Sequence, residues 1–79
     1  MKYFLHKHTF YDGFFYPNQE RPDVVESLEE AVVTFKEAFK HLTGNKATEK
    51  QVERLKSFDV VKSNNKSLEY RFCLTKQED

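Results

Sequence analysis

His6 and His8 stand two residues apart inside an aromatic run, so on an extended strand both imidazoles project from the same face. That spacing could chelate a transition metal, with a third ligand drawn from Asp12, His41 or Cys73. It could also serve acid–base cleavage of RNA, because imidazole titrates near neutrality. Neither chemistry finds support further along the chain. There is no second ligand pair at metal spacing, and no phosphate-binding or nucleophile-orienting group is evident. Two histidines beside aromatic rings are the plainer reading, and the sequence implies no metal, no cofactor and no catalytic residue.

Cys73 is the only cysteine and alternates with Leu68, Tyr70, Phe72 and Leu74, which turns it away from the main core. It reads as a structural thiol, not a nucleophile. Lys46, Lys50 and Arg54 recur every four residues along the second helix and its approach, and Lys62 and Lys66 extend the row. Such a row could touch phosphates or an acidic protein surface. Glu49 and Glu53 run beside it, so a solvated helix face is the competing reading.

The aromatic segment itself carries the strongest signal. Residues 3–11, then Asp12-Gly13, then Phe14-Phe15-Tyr16 read as a β-hairpin on a two-residue type I′ turn, whose central positions both need positive φ. The turn sets Tyr11 opposite Phe14, Phe10 opposite Phe15 and Thr9 opposite Tyr16. Alternation sends Phe4, His6, His8, Phe10 and Phe15 to one face and Tyr3, Leu5, Lys7, Thr9, Tyr11, Phe14 and Tyr16 to the other. A small sheet buries one face and wets the other, yet neither set is polar. One aromatic face is therefore expected to stay partly open as a contact surface. It suits a protein interface by its ring content or, alternatively, a stacking platform for unpaired RNA or single-stranded bases. Self-association through an exposed edge of the first hairpin, giving a homodimer, is a third way to cover it.

These groups must be positioned by a chain of 79 residues, which is one domain. Thirteen basic residues balance thirteen acidic ones, which argues against a protein held to nucleic acid by a general basic field. Eight Phe and four Tyr supply a tight small core. With one cysteine, no disulfide can form within the chain, and a reducing cytoplasm is the expected setting. No apolar run approaches the roughly 20 residues a membrane span needs, and no secretory leader is evident at the N-terminus.

Ser27 and Glu30 predict a capping box that opens a first helix, whose apolar stripe runs through Leu28, Ala31, Val32, Phe35, Ala38, Phe39 and Leu42 and stops at Gly44. Thr48 and Gln51 open a second, more polar helix with Val52, Leu55 and Phe58 along one edge. Val60 and Val61 lead into a polar turn over residues 62–67. Leu68, Tyr70, Phe72 and Leu74 then alternate as a half-buried strand, with fraying expected over 76–79. The order β-β-α-α-β-β predicts an α+β domain, an antiparallel sheet with both helices packed on one face.

No glycine-rich phosphate loop, paired-cysteine zinc signature, nucleophile elbow or HExxH occurs. The expectation is a small non-catalytic binding or regulatory protein that occludes or bridges a macromolecular partner, in the style of the accessory inhibitors carried by phages and mobile elements. The first candidate contact is Phe4, His6, His8, Phe10 and Phe15. The second is the row Lys46, Lys50, Arg54, Lys62 and Lys66.

Overall fold

A computed structural model describes residues 1–12, 14–15, 21–65 and 67–77, with 14, 15 and 65 described by backbone alone. The chain runs β1 (Lys2–Tyr11), β2 (Phe14–Phe15), β3 (Asp23–Val25), α1 (Leu28–Thr43), α2 (Glu49–Lys56), β4 (Val61–Asn65) and β5 (Leu68–Gln77). The strands form one antiparallel sheet in the order β2-β1-β5-β4, with β3 also paired to β1. The α+β architecture is the one the sequence predicts.

The hairpin register is also as predicted, with Phe10 opposite Phe15 and Tyr11 opposite Phe14. Asp12 takes a left-handed φ of 48° at the first turn position, and its N–H donates to Ser67 O at 3.0 Å. Gly13 and the expected Thr9–Tyr16 pair lie outside the described residues.

Three differences from the sequence reading share one cause. Asp23–Val25, for which the order β-β-α-α-β-β allows no strand, is a short strand because Tyr3, Phe4 and Leu5 offer it a free ladder edge. Residues 62–65, expected as a turn, continue β4 because each pairs with β5, from Lys62 opposite Arg71 to Asn65 opposite Leu68. β5 runs on to Gln77 because Tyr3 and Lys2 pair with Lys76 and Gln77. In each case backbone pairing with a distant segment overrides a polar local sequence. β5 flanks one side of β1, and on the other side Tyr3–Leu5 pair with β3 and Phe10 and Tyr11 with β2.

Both helices are held by their caps. Ser27 Oγ accepts from Glu30 N–H at 3.1 Å, while the Glu30 carboxylate accepts from Glu26 N–H at 3.3 Å. The return bond thus falls one residue ahead of the N-cap. In α2 the box closes fully: Gln51 N–H donates to Thr48 Oγ1 at 3.2 Å, and Thr48 N–H donates to Gln51 Oε1 at 2.8 Å. Gly44 ends α1 at a φ of +79°, with its N–H bonded to Lys40 O.

The apolar stripes meet on one side of the sheet. Leu5, Val25, Ala31, Phe35, Phe39, Leu55, Val61, Tyr70, Phe72 and Leu74 are the buried core. Phe72 sits at its centre, its ring 5.3 Å from that of Phe35 and 5.5 Å from that of Phe39. Since Leu5 and Tyr3 pack into this core, the odd-numbered face of β1 is the one the helices cover. Lys7, on the same face, is neutralised by Asp23 at 2.9 Å. The even-numbered residues of β1 are left on the opposite side, which carries no helix among the described residues.

Candidate functional site

Cross-strand pairing builds the helix-free face row by row. Phe4 lies between Val24 and Thr75, His6 opposite Cys73, His8 opposite Arg71, and Phe10 opposite Glu69. Lys62 and Asn64 of β4 extend the Arg71 and Glu69 rows. Directly paired residues on antiparallel strands project to one side, so these side chains form a continuous surface. Phe4, His6, His8 and Phe10 are all half-buried. Of the first predicted set, four residues therefore come together on one strand. Phe15 holds the register position opposite Phe10, and its side chain lies outside the described residues.

The rings are packed, not splayed. The imidazoles of His6 and His8 lie nearly parallel, 10° apart in plane, with centroids 6.3 Å apart. His6 Nε2 is 2.9 Å from the Thr75 hydroxyl across the strand pair. The Arg71 guanidinium carbon stands 4.2 Å from the Phe10 ring centroid, a cation–π contact, while Nη2 donates to Glu69 at 3.0 Å. Arg71 Nε is buried and meets no acceptor among the described residues. In the sequence Arg71 is no more than a polar position of an alternating strand. Its place beside Phe10 follows from the β1–β5 register, for which no local signal exists.

The strand pairing does bring Cys73 beside His6, but His41 lies on α1 across the sheet, in a hollow with Lys7 and Asp23. Among the described residues no three His, Cys, Asp or Glu side chains converge as a metal set. Burial pushes the Cys73 thiol above its ordinary pKa, which lowers its thiolate content at neutral pH.

The predicted basic row does not hold as one surface. Thr48 is an extended N-cap, so Lys46 falls off the helical register and lines a hollow with Lys36, Glu37, Lys40 and Ala47. Lys50 is exposed on α2, and Lys66 lies outside the described residues. Arg54 and Lys62 do converge. With Arg71, Gln51, Val60 and Val61 they line a groove of about 560 Å³ beside β4.

The histidine pair carries a pH dependence. Desolvation, and secondarily the charge of His8, hold His6 below its ordinary pKa. The unfolded chain therefore takes up this proton first as pH falls, at about 6.5. Stability is predicted to be flat above neutrality with respect to His6 and to decline as pH drops from about 6.5 toward the lowered native value. Urea unfolding between pH 8 and pH 5.5 measures this, with His6→Gln removing part of the slope. An identical slope in the variant would refute the assignment.

Comparison with protein-family models, curated proteins and solved structures finds no match for this chain. Among the described residues no helix is long and apolar enough to cross a membrane. What the fold and the site define is a small α+β domain with one helix-covered and one helix-free sheet face.

Proposed function

We propose that this chain is a small non-catalytic binding protein that docks a protein partner on the helix-free face of its sheet, occluding or bridging that partner as an accessory inhibitor would. The observation that supports this reading is the unbroken row Phe4, His6, His8 and Phe10 on an interior strand, half-exposed, with Arg71 laid over Phe10. Aromatic rings with an arginine, and few lysines at the centre, match the composition of hot-spot regions. Arg71 is already matched to Glu69, and the chain's formal charge is zero, so the face has little surplus charge for a phosphate backbone.

A nucleic-acid reading has one observation in its favour: Arg54, Lys62 and Arg71 share a groove that adjoins the same face. Capture of partners from the native cell lysate, with and without nuclease, separates the two. A defined protein retained after nuclease, and lost from a Phe4→Ala/Phe10→Ala double variant, is the expected result. Loss of every partner after nuclease, with binding that weakens steeply as salt rises, would instead establish nucleic acid.

A further inference from the structure

β4 is a terminal strand of the sheet, so one row of its backbone N–H and C=O groups faces outward. Beside it lies the groove formed by Gln51, Arg54, Val60, Val61, Lys62 and Arg71, with no carboxylate among the described residues that line it. Arg54 Nε–H reaches the Val60 carbonyl at 3.4 Å, at the point where the chain turns into β4. Neither Arg54 nor Lys62 has a carboxylate partner among the described residues. Val60 is 42% exposed, and Phe58 is 45% exposed at the turn before it.

Phe58 is also strained. It follows α2 at a φ of +63°, the left-handed position that favours glycine. Its N–H donates to Leu55 O at 2.9 Å and the Asp59 N–H to Arg54 O at 3.0 Å, the paired bonds of a Schellman turn. A bulky ring in that conformation carries a backbone cost, and nearly half of the residue stays exposed. Such outliers persist most often where a side chain is used.

We propose that the outer edge of β4 accepts an extended acidic peptide as an added strand, with its carboxylates on Arg54 and Lys62 and its apolar residues against Val60 and Phe58. Charge selects this occupant. A lysine on an edge strand repels a second copy of the same edge, yet it attracts a strand bearing Asp or Glu. The site adjoins the aromatic face, with which it shares Lys62 and Arg71, but its edge backbone is available whether or not that face binds a partner.

The test uses the whole chain and three blocked hexapeptides: Glu alternating with Val, Lys alternating with Val, and the first with alternate amides N-methylated. The first is expected to bind, to shift the amide resonances of Val61–Asn64 and to slow their exchange with solvent. The second and third should bind at least tenfold more weakly. Arg54→Glu with Lys62→Glu should reverse the peptide charge preference, while Val33→Ala, on the exposed side of α1, leaves it unchanged. Phe58→Gly should raise the thermal midpoint by several degrees and still weaken the first peptide tenfold. The proposal is overturned if the acidic and basic peptides bind alike or not at all, if the shifts fall on the aromatic face, or if Phe58→Gly leaves affinity intact. Concentration-dependent self-association through β4 in the unmodified chain would likewise assign the edge to a second copy.

Discussion

Phe72→Ala is expected to remove about 3–5 kcal/mol of stability, the range for truncating a fully buried phenylalanine. Phe72 has no exposed surface, and it packs edge-on against Phe35 and tilted against Phe39. It also joins the strands, because it stands opposite Lys7 on β1 and Val61 on β4. Truncation therefore opens a cavity where the sheet and α1 share rings, and neither a helix nor a strand can close it alone. A domain of this length has a total stability of roughly 4–12 kcal/mol at ~0.05–0.15 kcal/mol per residue, so the loss brings the chain close to unfolding at ambient temperature. Urea titration followed by circular dichroism measures it. Val33→Ala, on the exposed side of α1, should stay within about 0.5 kcal/mol and serves as the control. A loss at Phe72 under about 1 kcal/mol would mean that the core is not organised around this ring.

Phe10→Ala should have the opposite profile: a small effect on folding and a large one on partner binding. Phe10 is half-buried on the helix-free face, outside the core cluster, so its removal leaves no enclosed cavity. As the ring beneath Arg71 it would be an interface anchor, and truncation of such anchors costs about 2 kcal/mol or more, near thirtyfold in affinity. Arg71→Ala should weaken binding as well. The two losses should not add, because a cation–π pair is worth about 0.5–1 kcal/mol and is broken by either change. A double-mutant cycle on the captured partner reads this coupling directly. Full additivity, or affinity untouched by Phe10→Ala, would remove the face from consideration as the docking surface.

The pH response of His6 bears on the same surface, since the imidazole pair forms the middle of the row. A partner seated there would add its own desolvation, and binding would weaken in acid for the same reason that folding does.

Local sequence settled the elements whose signals are short-range. Ser27 and Thr48 mark helix starts because their hydroxyls bond backbone N–H groups three residues on, and Gly44 marks an end because it tolerates a positive φ. The hairpin register was legible for a similar reason: Asp-Gly between two strand-like runs implies a two-residue connection, which leaves only one pairing for Phe10 and Tyr11. The half-buried alternation from Leu68 to Leu74 was likewise legible, because a period of two depends only on strand geometry.

Pairing between distant segments decided the rest. That β5 lies along the whole of β1 brings Arg71 to His8 and Cys73 to His6, and no feature within either segment encodes that alignment. The two aromatic faces of β1 were indistinguishable by composition. Leu5 and Tyr3 went inward because the helices lie on that side, which left Phe4, His6, His8 and Phe10 outward. The polar run from Lys62 to Asn65 became a strand only because β5 supplied the hydrogen bonds, and the groove of Arg54, Lys62 and Arg71 exists only because α2 ends beside it. Short-range hydrogen bonds and side-chain periodicity are written residue by residue. Which strand lies against which depends on burying the whole apolar surface at once, and that is a property of the folded chain.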